Sequence, residues 1–214
     1  NFAAETHVDR SLEDPNEFVR SNVLGTATLL NLAIRHNVKK FLQVSTDEVY
    51  GSITTGSWDE DSTINPHSPY SASKASADFI ALSFFVSHNL DVRITRCSNN
   101  YGPRQNLEKM VPKIINSLKL DLPIPLYGDG QNIRDWLYVE DHCQGIWLAM
   151  INGRAGQVYN LGGGIEYTNL ELITTIAKEF DIATPLIEFV ADRKGHDFRY
   201  SLNYKKATKE LDYR

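Results

Sequence analysis

Two clusters in this sequence carry residue types that move protons. Tyr70-Ser71-Ala72-Ser73-Lys74 sets a phenol and an ammonium four residues apart, the spacing of one helix face. A positive charge beside Tyr70 would favour the phenolate and lower its pKa toward working pH, as a base acting on an alcohol requires. The spacing alone is a weak signal, and a solvated Lys beside a half-buried Tyr is its ordinary meaning. The second cluster, Ser45-Thr46-Asp47-Glu48, ends an apolar run that reads as a strand. Open α/β sheets place ligands at such C-terminal strand ends. Adjacent carboxylates repel, which raises one pKa and divides the pair into an acid and a base. A solvated acidic turn is the alternative, and the Tyr/Lys helix that follows weighs against it.

The elements that must position these residues alternate between helical and extended patterns, which favours an α/β fold with a largely parallel sheet. Asp14-Pro15-Asn16-Glu17 opens a first helix with an N-cap and an N1 proline, and apolar spacing carries it to about residue 36. A strand at 41–44, a Gly/Ser/Asp/Pro loop at 51–69, a helix at 70–88 and a strand at 91–97 follow. Beyond Tyr101-Gly102-Pro103 the rhythm loosens. Helices are expected near 108–119, 139–151, 169–180 and 205–211, with strands near 124–127, 136–138, 158–161 and 186–190. The picture is part of a doubly wound, Rossmann-like sheet (residues 1–102) and a smaller mixed lobe (103–214), with segments of about 124–161 returning to the sheet.

The 214 residues are 42% hydrophobic and 23% charged, an ordinary globular balance that argues against disorder. The net charge of −5, with no basic block, argues against nucleic-acid binding, and no apolar run approaches a membrane span. Cys97 and Cys143 lie far apart without metal-ligand spacing, so a reduced, cytoplasmic setting and no metal are the expectation. His36, His67, His88 and His142 are scattered and read as non-catalytic.

The order of motifs resembles the extended short-chain dehydrogenase/reductase family that works on nucleotide sugars, and within it the branch that dehydrates dTDP-glucose. Ala3-Ala4-Glu5-Thr6-His7-Val8-Asp9-Arg10-Ser11, Ser45 to Gly51, Tyr70 to Lys74 and Arg96-Cys97-Ser98-Asn99-Asn100-Tyr101-Gly102-Pro103 carry the likeness. So do Glu108-Lys109, Arg134 to Val139, Tyr159-Asn160-Leu161-Gly162-Gly163 and Asp192 to Tyr200. Thr46-Asp47-Glu48 is the specific element, because epimerases of the family lack the acid pair and GDP-mannose dehydratases usually carry Ser for Asp. Departures include Thr6 for a common Ser, Ser21 for a common Thr, and Leu107 for a common Pro.

The resemblance implies an NAD-dependent hydro-lyase of deoxysugar biosynthesis that turns dTDP-glucose into its 4-keto-6-deoxy product. Tyr70 would take the 4-hydroxyl proton, with Lys74 tuning it and Thr46 orienting the hydroxyl. Glu48 would then abstract the carbon-5 proton and Asp47 protonate the leaving 6-hydroxyl. Ala3, Ala4, Glu5, Ser21, Tyr70, Lys74 and Asn100 would hold NAD. Thr6, Thr46, Asn99, Lys109, Met110, Pro125, Tyr127, Arg134, Asn160, Arg193 and His196 would hold the sugar nucleotide. A homodimer through a four-helix bundle is also implied. Other nucleotide-sugar dehydratases or decarboxylases of this fold stay open, as does a silent chain that only binds a sugar nucleotide or a partner subunit. Both ends read as cut. The resemblance places the Gly-rich phosphate turn and the ribose-reading acid before residue 1, so weak or absent NAD binding by these residues is expected.

Overall fold

A computed structural model describes residues 1–214. Three parallel strands form the central sheet in the order β1 (Phe41–Thr46), β2 (Val92–Cys97), β6 (Val158–Leu161). Side chains alternate between its faces. Leu42, Tyr159 and Leu161 pack with α6 (Val139–Asn152) and α8 (Lys205–Leu211) on one side. Val92 and Ile94 pack with α3 (Gly25–Arg35) and α4 (Pro69–His88) on the other. Residue 1 adds one ladder step on the free side of β1: the Asn1 amino group donates to the Leu42 carbonyl at 2.6 Å, and its carbonyl accepts from Val44 at 3.2 Å.

Local chemistry explains the elements that hold the site. Helix α4 starts at a capping box in which Ser68 and Ser71 satisfy each other's backbone, with Pro69 in the first turn. It stops at Asn89, which adopts the left-handed conformation (φ 52°). The first long helix is less regular than its pattern suggests. It runs as α2 (Pro15–Phe18), a π-helical stretch Val19–Leu24 and then α3, preceded by a short α1 (Val8–Glu13) that lacks an apolar repeat. Thr46 caps a 3-10 turn, Asp47–Tyr50, that fixes the two acids at the end of β1.

The second lobe has two small sheets. One joins β3 (Asn99–Tyr101), β5 (Ile133–Tyr138) and β7 (Glu166–Thr168), and the other pairs β4 (Ile124–Tyr127) with β8 (Ile187–Val190). Helices α5 (Met110–Lys119) and α7 (Asn169–Lys178) cover a separate apolar core around Ile114, Leu126 and Ile173. The crossing back differs from the 124–161 expectation. β4 stays in the lobe, whereas α6 and β6 return, and so does α8 at the other end of the chain. β4 pairs in parallel with β8 and with no strand of the central sheet. No helix is long and apolar enough to cross a membrane.

Candidate active site

The expected chemical residues converge at the C-terminal ends of β1 and β2. Thr46 Oγ1 bonds Asp47 Oδ1 at 3.1 Å and accepts from the Glu48 N–H at 3.3 Å. Asp47 is 2% exposed, and its second oxygen is buried without a partner. Burial first, then Glu48 and Asp135, push the Asp47 carboxyl well above its usual pKa. Glu48 is also raised by burial, but Arg134, Arg193 and Lys109 pull the other way. Burial raises both carboxyls; Arg134, Arg193 and Lys109 oppose that at Glu48 against Asp197, whereas at Asp47 the like charges of Glu48 and Asp135 add to it and Thr46 and Arg134 oppose it.

Tyr70 is buried at the start of α4, against Phe18 edge-on at 6.3 Å. Burial, then Glu48, Cys97 and Asp47, hold its phenol well above the ordinary value, with the Thr46 hydroxyl pulling down. This corrects the lowered phenol expected from Lys74. The Lys74 ammonium donates to the Val44 carbonyl at 2.7 Å, and the groups that shift the Tyr70 phenol are burial, Glu48, Cys97, Asp47 and Thr46. Asn22, in the π-helical stretch, ties the neighbouring segment down. Its side chain accepts from the Glu5 N–H (2.8 Å) and donates to the Glu5 carbonyl (3.0 Å) and to Ser73 Oγ (2.8 Å). Glu5 is therefore tied to the helix that carries Tyr70 and Lys74, while Ala4 and Ser21 are half-buried and Ala3 is exposed. Ser45 Oγ, a hydroxyl, and Asn100 Oδ1, an acceptor, are buried with no hydrogen-bond partner, and such groups suit the hydroxyls and amide N–H of a dinucleotide. The Gly162–Gly164 turn is filled from within: a Cβ on Gly163 would lie 1.9 Å from the Trp136 carbonyl, and Asp135 caps the Gly163 and Ile165 N–H groups. No pyrophosphate fits that turn.

Across the cleft lies a cationic group whose charges are engaged by the chain itself. Lys109 donates to the Thr6 carbonyl (2.9 Å) and Oγ1 (3.2 Å). Arg193 pairs with both oxygens of Asp9, at 2.5 and 3.1 Å, and lies 5.0 Å over the Tyr127 ring, whose hydroxyl also donates to Asp9. His196 sits edge-on to Tyr127 and bonds Asp192 at 2.7 Å. Asn99, Met110 and Pro125 are half-buried on the surrounding elements.

Two further residues expected at the ligand, Asn160 and Arg134, are also engaged by the chain itself. Asn160 is 0% exposed, and its amide is used by Tyr50, Trp58 and Asn203. Arg134 is 6% exposed, with its terminal nitrogens on the carbonyls of Ile133, Asp197 and Phe198 and its plane 4.3 Å over Tyr200. Both lie on strands inside the protein, where their polar groups must be satisfied by backbone. Arg134 instead biases Glu48 electrostatically. Sequence reasoning missed Asp9, Asn22, Asp135 and Asp197. Asp197 bonds His67 at 2.6 Å and receives the Tyr200 hydroxyl at 2.7 Å, so His67 is a structural partner. Asp9, Asp135 and Asp197 lay inside the quoted motifs, but nothing in their spacing marked them.

Comparison with known proteins agrees with this arrangement. The chain is 56% identical over 214 residues to a dTDP-glucose 4,6-dehydratase of Streptomyces antibioticus, all of this chain against 64% of that protein. It superposes with a TM-score of 0.98 and 50% identity on DesIV, a dTDP-glucose 4,6-dehydratase of Streptomyces venezuelae crystallised with NAD bound, covering 66% of that chain. A UDP-glucuronic acid 4-epimerase of Bacillus cereus matches with a TM-score of 0.95 at 27% identity, so the α/β architecture is of the same Rossmann-like kind. The chain thus spans about two thirds of the length of these proteins. Residues 1–214 match the GDP-mannose 4,6 dehydratase family from end to end, and the chain belongs to that family.

Proposed function

We propose that this chain is the catalytic and substrate-holding part of an NAD-dependent dTDP-glucose 4,6-dehydratase. The observation that carries the reading is the placing of Asp47 and Glu48 beside Tyr70: like charges add to burial at the first acid, and cations oppose it at the second. Tyr70 takes the 4-hydroxyl proton of the sugar, with Thr46 orienting that hydroxyl. Once carbon 4 is a ketone, the carbon-5 proton is acidic enough for Glu48. Asp47, held protonated, gives its proton to the leaving 6-hydroxyl, and water departs. One elimination needs one base and one acid presented together, as this pair is.

Ala3, Ala4, Glu5, Ser21, Tyr70, Lys74 and Asn100 hold the nicotinamide end of NAD, and the unpartnered Ser45 and Asn100 oxygens support that placement. A bound NAD would supply acceptance of a hydride from carbon 4 and return of that hydride to carbon 6, so that the cofactor ends unchanged. Lys109 and Arg193 take the diphosphate by exchanging it for Thr6 and Asp9. Asn99 and His196 contact phosphate or sugar, and Tyr127, Met110 and Pro125 border the nucleoside. Residues 1–102 then serve chiefly the cofactor and most of 103–214 the sugar nucleotide. A cytoplasmic location suits the two free thiols. Exposed Leu24, Leu32, Phe79 and Val86 on the α2–α3 and α4 helices supply the apolar face for a two-fold homodimer. A monomer by light scattering would sink that assembly.

The test uses the complete reading frame that encodes this chain, given dTDP-glucose in deuterated water. Glu48→Gln should retain reduction of bound NAD and lose deuterium incorporation at carbon 5. Incorporation at the normal rate removes Glu48 from the base role.

A further inference from the structure

His67 stands where three parts of the cleft meet. It directly precedes Ser68, the N-cap of the helix α4 that carries Tyr70. Its Nδ1 bonds Asp197 Oδ1 at 2.6 Å, a bond that runs from a 39% exposed imidazole to a 4% exposed carboxylate. Its Nε2 meets the Asn65 side-chain amide at 3.0 Å. An Asn65 amide donating to Nε2 leaves Nδ1 as the N–H, which donates to the Asp197 carboxylate. Asn65 also donates its backbone N–H to the Val49 carbonyl (3.0 Å), inside the 3-10 turn that holds Asp47 and Glu48. That turn ends at Gly51 (φ 78°), where a Cβ would meet the Asn65 carbonyl and, at 3.3 Å, the His67 ring.

On the far side, Asp197 is a fixed point. Its second oxygen accepts from the Tyr200 hydroxyl (2.7 Å), and its carbonyl accepts from Asn132 (3.2 Å) and Arg134 (2.9 Å). The residues just before it, Asp192 to His196, belong to no helix or strand, yet they include Arg193 and His196. His67 meets this segment a second time through its backbone: a Cβ on Gly195 (φ 66°) would lie 2.8 Å from the His67 carbonyl.

We propose that His67 is a positioning residue for the sugar nucleotide: by bonding Asp197 and seating Gly195, it sets where Arg193 and His196 stand relative to Tyr70 and the Asp47–Glu48 turn. The inference rests on the reading of Arg193 and His196 as holders of the sugar nucleotide. The proton-moving residues have their own supports, the Ser68–Ser71 capping box and the Thr46 cap, and neither uses the imidazole. Arg193 and His196 lack such a frame. Arg193 pairs with Asp9, and His196 pairs with Asp192 of its own segment. Once a diphosphate displaces Asp9, Asp197 is the hydrogen-bonded anchor next to them. Loss of the His67 bond therefore weakens binding and leaves the chemical step alone.

The experiment uses the enzyme from the complete reading frame, loaded with NAD, and measures kcat, KM for dTDP-glucose and dTDP affinity by calorimetry. His67→Ala should raise KM and weaken dTDP binding by about five- to tenfold, part of the worth of a hydrogen bond to a charged group. Its kcat should stay within about two-fold of wild type. His67→Asn, whose amide can donate near the Nδ1 position, should recover most of the loss. Gly195→Ala keeps the imidazole but crowds the His67 carbonyl, so it should raise KM in the same way. A His67→Ala enzyme that loses melting temperature yet keeps KM and dTDP affinity overturns this inference alone. A fall in kcat at unchanged KM overturns it too. Arg193→Met with an unchanged KM overturns the reading beneath it instead.

Discussion

Thr46, Asp47 and Tyr70 on one side of the cleft are each less than a tenth exposed and are set by a cap, a 3-10 turn and a capping box. Thr6, Lys109 and Arg193 on the other side are exposed or half-buried and are held by groups of the chain that stand where an anion would. The first region spends its stability on holding charges in an unfavourable place, which is how pre-organised acids and bases are kept poised. The second spends little, because half-exposed ion pairs are worth about 0–1 kcal/mol and exchange readily for a ligand. Chemistry thus resides where nothing can move, and recognition where partners can be swapped.

Four measurements would break or sharpen that contrast. The largest effect is expected from Asp47→Asn, which should slow water loss by about 10²–10⁴-fold with little change in KM. Arg193→Met should do the reverse, raising KM by about 10–100-fold, the worth of a charge-assisted hydrogen bond, with kcat nearly kept. If both changed kcat alike, the division would be wrong. The next effect is on stability against pH. Burial raises the Asp135 carboxyl from its usual 3.8 to about 6, so the folded chain binds that proton more tightly than the unfolded one. Stability from this group is full below about 3.8 and lost as pH rises through about 6, an amplitude of roughly 3 kcal/mol. Asp192, in the lobe, is lowered by its His196 hydrogen bond and has the opposite sign, contributing above its ordinary range and losing that on acidification. Denaturant unfolding of wild type and Asp135→Asn between pH 4 and 7 should show a slope that differs in the Asp135 direction. Parallel slopes would refute it.

The smallest effect concerns Asp9. If it only holds the place of a diphosphate, Asp9→Asn should tighten pyrophosphate binding to the cleft by about two- to five-fold, as loss of a weak competing ion pair allows. Calorimetry that found weaker binding would instead make Asp9 a support that Arg193 needs.

The sequence by itself determined the main helices and the strands at 41–46, 92–97 and 158–161, since apolar periodicity and caps act over a few residues. It also determined Thr46-Asp47-Glu48 and Tyr70 with Lys74, because both are local patterns. The three-residue strands β3 and β7 and the helix Val8–Glu13 were illegible, being too short for any period to register. Only the tertiary structure shows which charges surround each acid. Asp135, Arg134, Arg193 and Lys109 are 60 or more residues distant in the chain and converge on Asp47 and Glu48 through the fold. It likewise buried Asn160 and Arg134 among hydrogen bonds of the chain and paired Asp78 with Arg96. Charge and hydrogen bonding act across space, and a pKa depends on what the folded chain brings within a few ångströms, which residue spacing alone does not record.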